Sequence, residues 1–596
     1  MARVVVERRV PCVSSCDALW AAIADTRRFS RALGGGPVVA TPIDDAGAAR
    51  YLSRTRVTGL EIEYEERPFD WSRPDHLVIH RRIRKGPAAA YLLAIHLEAR
   101  PGHGADALLR LEVEPRSVVL WPLVRGQTAL VAGKMARLLR RIDENLARGV
   151  DAYGAEPAGR LHGPALDRAC ERLASLQGEE TDLCRRLREH VTGAPDLEVA
   201  RIRPYALADA WAVDRTAVLA LCLRAVSAGL LELCWEIVCP SCRLAAAHAD
   251  ALVALQPTAH CHLCDLTIAV DLARSVEVTM RPAPAVRRVD PGPYCVSGPF
   301  SMPHVVVQAI LPAQGEVVVR APAAGGRYRL SARGGASASV EVGEDAASSA
   351  RVVAGRTLEP GALRLAPAGE LVIADGLGEE RHLRLEHLAW ASQAATAHEV
   401  SLLPAFRRLF SHEILRPGLA LAVGRVSILF TDLTGSTELY DRVGDAAAFR
   451  LVQDHFALAA ETVERHGGCI VKTLGDSVMA AFPDEANALL AAVSLQREHG
   501  ARAAADAPAL KIGLHSGPCY AVTANRQLDY FGQTVNLAQR LEAQALGGDI
   551  VVAAELARPG APWLEGAFIA EVLTVTLKGT GGPMRLARIR LGRPDQ

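Results

Sequence analysis

The run Ile428-Leu429-Phe430-Thr431-Asp432-Leu433-Thr434-Gly435-Ser436-Thr437 constrains this chain more than any other stretch. It reads as a short apolar strand that ends on a carboxylate, breaks at a glycine and opens a helix. Farther along, Ile470-Val471-Lys472-Thr473-Leu474-Gly475-Asp476-Ser477-Val478-Met479 repeats the device, with a second acid at a Gly-Asp turn between two strands. Two acids on the ends of neighbouring strands, beside a helix N-terminus, suit divalent metal and phosphate.

The 596 residues exceed one core, and length alone suggests about three to five domains. Half of the residues are hydrophobic, and 67 basic side chains stand against 67 acidic ones. That composition is globular and exerts no global pull toward nucleic acid or acidic membrane. No apolar run is long enough to span a bilayer. The best candidate, Ser117 to Leu130, is cut by Arg125. Arg3, Glu7, Arg8 and Arg9 stand where a signal peptide has its apolar core, so a cytoplasmic location is expected. Thirteen cysteines, an odd number mostly in apolar runs, agree with reduced thiols.

Residues 1–152 read as a strand, a short helix at Ser15–Ile23 capped by Ser14 or Ser15, and alternating strands at 49–57, 60–66, 76–83, 90–98 and 107–115. A long helix, Ala129 to Ala147, follows, with Met135, Leu138, Leu139, Ile142 and Leu146 at helical spacing. This order resembles the START-like (polyketide cyclase-like) helix-grip fold. The resemblance implies a curved sheet around the helix and a small apolar ligand; a packed domain without ligand is the alternative. Residues 155–237 are helical, and Tyr205–Trp211, Thr216–Ala228 and a following strand look like a winged helix. A DNA reader wants a basic second helix; Arg215 and Arg224 amid alanine and leucine point instead to an apolar packing module, and nucleic acid is not expected. In 238–275, Cys239, Cys242, Cys261 and Cys264 form C-x2-C-x18-C-x2-C. Two such knuckles close a four-thiolate zinc site with no open position, hence one structural Zn²⁺ in a zinc ribbon. His260 and His262 are less favoured ligands. Residues 276–395 alternate between short strands and glycine turns as a β-sandwich does, and 396–421 form a connector ending in Arg416-Pro417-Gly418.

Residues 422–592 alternate strand and helix, which predicts an α+β unit on one mixed sheet. Four motifs in order, Phe430-Thr431-Asp432-Leu433, Lys472-Thr473-Leu474-Gly475-Asp476, Asp529 through Arg540, and Leu577-Lys578-Gly579, resemble the catalytic domain of class III nucleotidyl cyclases. The whole chain is then a multidomain α+β protein with a ferredoxin-like cyclase domain at its C-terminal end.

The resemblance implies that ATP is converted to 3′,5′-cyclic AMP and pyrophosphate with two Mg²⁺ or Mn²⁺ per site. Asp432, Asp476 and the Leu433 carbonyl would be the metal ligands, since hard oxygens suit these ions. Asn536 and Arg540 stand at i and i+4 on one helical face; by resemblance Arg540 takes phosphate charge and Asn536 orients the ribose. Amides at Thr434, Gly435 and Ser436 would cradle phosphate, and Lys578 would hold the terminal phosphates. A lysine donates and an aspartate accepts, so Lys472 and Asp529 match adenine's N1 and N6, whereas guanine reverses that polarity. The family shares each site between two subunits, which implies a homodimer. Guanylate cyclase activity and a catalytically silent nucleotide-binding module are the alternatives, as is a transcription factor built on residues 155–275. His515 reads as structural, and Cys469 and Cys519 as core thiols.

Overall fold

The computed structural model describes residues 3–36, 38–43, 49–57, 60–102, 104–154, 160–177, 182–289, 298–388, 394–435, 441, 443–502, 508–557, 562–578 and 582–592. At the N-terminal end, strands Val4–Cys12, Ala105–Pro115, Ala88–Ala99 and His76–Lys85 pair antiparallel in that spatial order. Their alternation buries Leu77, Ile79, Leu93, Ile95, Leu109 and Leu111 on one face. Helix Trp121–Ala147 packs against this sheet, burying Met135, Leu138, Leu139 and Ile142. Its Asp143 accepts the Val13 and Ser14 amides at 2.9 Å each, which fastens it to the entry of helix Cys16–Ala24. The long helix starts at Trp121, ahead of the expected Ala129, because Pro122 in the first turn has no N–H to leave unpaired.

An apolar pocket is expected from the START-like reading. Apart from an open recess of about 420 Å³ lined by Val39, Thr41, Pro42, Ile43, Leu52 and Arg54, this unit has a charged cavity of about 210 Å³: Arg3, Arg50, Arg67, His80, Arg81 and Arg82 line it with Glu65, Glu112 and Glu114. His80, Leu92 and Glu112 alternate with buried Ile79, Leu93 and Leu111, so the cavity opens on the face opposite the core. The expected apolar ligand finds no support there.

The same sheet runs on into the glycine-rich region. Strand Asp70–Ser72 pairs with Val305–Leu311, joining Trp71 to Gln308 and Ser72 to Val307 in register. A 13-stranded sheet therefore crosses from the first unit into the β-sandwich, whose second layer has four strands. Helices Pro204–Trp211 and Arg215–Ser227 lead into strand Leu231–Val238, the centre of a three-stranded sheet. That strand delivers Cys239. No described helix is long and apolar enough to cross a membrane.

The connector contains α1 (Ala397–Ser401) and α2 (Pro404–Leu409). The C-terminal unit follows with β1 (Leu421–Leu433), α3 (Asp445–Arg465), β2 (Cys469–Leu474), β3 (Ser477–Phe482), α4 (Glu485–Arg502), β4 (Leu510–Ala524) and β5 (Gln527–Phe531). It closes with α5 (Gln533–Glu542), β6 (Asp549–Ala553), β7 (Ala567–Val575) and β8 (Met584–Leu591). The sheet order is β2-β3-β1-β4-β6-β8-β7, with β5 on β4. Leu429 and Leu433 of β1 face a core shared with α3 and α4, while Ile428 and Phe430 face the opposite layer with Ala538 of α5. Gly444, at φ +79°, caps α3, where a break in a longer helix is expected; residues 436–440 and 442 lie outside the described residues.

Strand β4 runs to Ala524, well past the His515 at which a strand end is expected. In the fold Pro518 faces Arg425, where a bulge in β1 shifts the register. The glycines of β4 serve close packing: a Cβ on Gly517 would stand 2.6 Å from Thr534 Oγ1, and one on Gly513 would run into the Glu542 and Leu541 backbone of α5. Because those contacts are backbone, Gly513→Ala should lift α5 from the sheet and destabilise this unit by roughly 1–3 kcal/mol or more. Thermal denaturation of the full chain checks this; an unchanged midpoint would show that α5 does not lie this close.

Candidate active site

Asp432 stands next to last in β1, in direct register with Lys511 of β4. Its Oδ1 accepts the Ser477 hydroxyl at 2.7 Å and its Oδ2 the Lys511 ammonium at 2.9 Å. Asp476 sits on the tight turn between β2 and β3, where Gly475 takes φ +65°. Its Oδ2 accepts the Leu433 amide at 3.3 Å. Both carboxylates thus converge on the end of β1, with Leu433 between them.

A third acid, which the motif reading missed, joins them. Glu542, the last residue of α5, lies 3.7 Å from Lys511 Nζ and is mostly buried. Burial, then the negative charge of Asp432, pushes its carboxyl up to about 7 against the pull of Lys511. An acid directly after Leu541, on the apolar face of an amphipathic helix, was the available signal.

Lys472 of β2 and Asp529 of β5 also meet. Lys472 Nζ stands 2.6 Å from Asp529 Oδ2, and Asp529 Oδ1 accepts the Tyr530 amide at 2.8 Å. The aspartate is buried and the lysine partly open, so a donor and an acceptor sit side by side.

Helix α5 carries Asn536, exposed, and Arg540, half-buried. Among the described residues neither makes a hydrogen bond to Asp432 or Asp476. Leu577 packs with Leu537 and Leu541 in one apolar cluster, which brings the exposed Lys578 beside the same helix. The Thr434 amide is taken by the Ala509 carbonyl at 2.9 Å, so it is not an open phosphate donor. Gly435 adopts φ +63°, while Ser436 and Gly579 lie outside the described residues.

Among the four cysteines, every sulfur lies within 4.8 Å of the others, and all four residues are buried. Arg243 and Asp265, each just after the second cysteine of a knuckle, take φ +57° and +55°, so the two knuckles turn alike. His262 is engaged elsewhere, with its Nε2 3.2 Å from the Arg50 carbonyl.

Behind Asp432, buried His455 shares a 3.0 Å hydrogen bond with Thr431 Oγ1. Burial, then the neighbouring His499, pulls its pKa down to about 4 from 6.5. Unfolded, the ring takes a proton near pH 6.5; folded, it resists until about pH 4. Stability is therefore intact above pH 6.5 and falls as acid is added, by on the order of 3 kcal/mol at the lower end of that window. Melts of wild type and His455→Gln at pH 7 and pH 5 check this: the variant should lose less on acidification, and equal losses would remove His455 from the account.

Comparison with known proteins fits this geometry. Residues 420–584 match the family described as adenylate and guanylate cyclase catalytic domain. Residues 171–294 match a family of unknown function. An uncharacterized protein of Mycobacterium tuberculosis is 35% identical over 127 residues, 21% of this chain and 32% of that protein. Adenylate cyclase 2 of Rhizobium meliloti is 30% identical over 188 residues, 28% of this chain and 51% of that protein. The chain thus spans between a third and a half of the length of these relatives. Among solved structures, the catalytic core of a rhodopsin-guanylyl cyclase with converted specificity in complex with ATPαS is 24% identical. That likeness covers 29% of this chain and 99% of that one, at a TM-score of 0.26. Residues 420–584 are accordingly an adenylate and guanylate cyclase catalytic domain of class III.

Proposed function

We propose that this protein is an adenylate cyclase that converts ATP to 3′,5′-cyclic AMP and pyrophosphate at sites shared between two copies of the chain, under the control of its N-terminal units in intracellular signalling. The observation that carries the choice of base is the Lys472–Asp529 pair, donor and acceptor held 2.6 Å apart with the lysine partly open to solvent. Adenine offers an acceptor at N1 beside a donor at N6, and the pair complements it. The Rhizobium meliloti relative named adenylate cyclase 2 supports the same base. GTP remains the competing substrate: a wild-type protein that makes more cyclic GMP than cyclic AMP at equal nucleotide would overturn the reading.

Asp432, Asp476 and the Leu433 carbonyl form a hard-oxygen set suited to two Mg²⁺ or Mn²⁺. Lys511 already holds a cationic group against Asp432, so the site is built to face positive charge. Bound there, the ions supply Lewis acidity toward the attacking 3′-hydroxyl and the α-phosphate. The chain does the rest. Ser477 and Lys511 keep Asp432 in one rotamer. Arg540 meets charge as it builds on the α-phosphoryl oxygens, and Asn536 orients the ribose. Lys578 and the Gly435 amide would meet the triphosphate, as would Thr434 on condition that its bond to Ala509 opens; Ser436, expected with them, lies outside the described residues.

The arrangement of charges supports a homodimer. Asn536 is exposed and Arg540 half-open, and neither is bonded to the acids of its own chain, which fits donors that serve a partner's acids. Asp432→Ala and Arg540→Ala should each reduce cyclic AMP formation by about a hundredfold or more. Mixed, they should recover roughly a quarter of wild-type activity, since random pairing makes half the dimers mixed and each mixed dimer keeps one whole site of two. Verified heterodimers with no recovery would sink the shared site.

The four cysteines are proposed to bind one structural Zn²⁺. Four clustered sulfurs fit it, and buried Arg384 donates to Cys264 Sγ at 3.1 Å, offsetting thiolate charge. Metal analysis of the purified chain should find one zinc per chain, and Cys261→Ser should lose it and melt several degrees lower. A metal-free wild type of equal stability would refute this.

A further inference from the structure

The connector does more than span two units. α2 lies on the edge of the catalytic sheet at the strand that carries Asp529. That strand, β5, has five residues and pairs only with β4, so its outer edge has no strand partner among the described residues. A short, single-sided strand is a poor platform for a side chain that must read a base.

The missing partner is supplied by two side chains from the connector. Arg407 donates from Nη1 to the Leu528 carbonyl at 2.9 Å and from Nε to the Ser401 carbonyl at 2.9 Å. Its guanidinium lies over the Tyr530 ring, 5.5 Å from the centroid. The Ser401 hydroxyl meets the Tyr530 hydroxyl at 3.0 Å. Both residues flanking Asp529 are thus held, and both are buried. Side chains alternate along a strand, so fixing Leu528 and Tyr530 against the connector aims Asp529 the other way, where Lys472 waits. A planar guanidinium can serve two carbonyls and a ring at once; a lysine ammonium cannot.

The connector is itself anchored at its far side. Phe406 packs edge-on against Trp235, with centroids 5.9 Å apart, on the strand leading to Cys239. Glu413 accepts Trp235 Nε1–H at 3.2 Å and the Leu252 amide at 2.7 Å.

We infer that Arg407 and Ser401 are positioning residues for nucleotide choice: through Leu528 and Tyr530 they hold the edge strand that aims Asp529 at the base. The inference rests on Lys472 and Asp529 being the base-reading pair. Arg407 touches no reacting atom, so its loss weakens selection of the base and leaves the metal end of the site alone.

Equilibrium binding to the full chain, with 3′-deoxy-ATP and 3′-deoxy-GTP as probes that cannot cyclise, separates the possibilities. Wild type should prefer the adenine probe. Arg407→Gln should weaken it about tenfold, the factor that 1.4 kcal/mol represents, while the guanine probe changes less than about twofold. Tyr530→Phe, which keeps the ring and loses the Ser401 contact, should fall about threefold, and Arg407→Lys should lie between wild type and Arg407→Gln. In turnover the same variants should raise KM for ATP with kcat nearly constant. Equal weakening of both probes, or an unchanged ratio, in variants whose wild type prefers adenine would overturn the positioning role alone. A wild type without adenine preference would overturn the base-reading pair beneath it, and this inference with it. Should Arg407→Gln fail to fold, Arg407→Lys and Tyr530→Phe decide by the same ratio.

Discussion

The antiparallel pairing of β1 with β4 is the constraint on which the catalytic unit depends. It runs from Leu421 opposite Ala521 to Leu433 opposite Leu510, with one bulge. That register sets Asp432 against Lys511 and so determines which cation faces the acid. It also presents Gly513 and Gly517 to α5, and the absence of Cβ atoms there lets the helix settle close enough to bring Glu542 to Lys511. A slip of one residue would invert every side chain along both strands. It would send Asp432 into the α3–α4 core and Leu429 toward α5.

The units ahead of the catalytic domain are tied together by backbone pairing and buried charge rather than strung on linkers. The sheet of the first unit continues through Ser72 and Val307 into the β-sandwich. The sandwich in turn reaches the four-cysteine cluster through Arg384, whose fully buried guanidinium contacts Ser241 and Cys264. A buried cation without a counter-charge is costly, so a cluster of thiolates is a physically sensible neighbour. Trp235, Phe406 and Glu413 then join the strand before Cys239 to the connector. These contacts form a continuous path from the N-terminal sheet to the strand that holds Asp529.

Much of the site was legible because its chemistry depends on residue type at fixed local spacing. Asp432 at the end of an apolar run, Gly475-Asp476 at a turn, Asn536 and Arg540 one helical turn apart, and the C-x2-C pairs are placed by period and spacing, while the roles proposed for the first four come from the family resemblance. What escaped was long-range. Glu542 looks like an ordinary helix-end acid until β4 brings Lys511 beneath it. Thr434 reads as an open amide until Ala509 takes its hydrogen bond. Strand β4 reads as ending at His515, and only the neighbouring α5 reveals why glycine is needed beyond it. The apolar pocket suggested by element order met a charged cavity on the opposite face, since order does not say which face of a sheet is open.

The amino-acid sequence by itself determined the local elements, the four-cysteine spacing and the acids that end two strands. These depend on near neighbours, and near neighbours are written in the order of residues. Only the tertiary structure decided that Lys511 and Glu542 join Asp432, that Arg407 and Ser401 close the free edge of β5, and that Arg384 lies on Cys264. Each of those depends on register and packing between elements far apart in the chain, where a single sequence carries no record of distance.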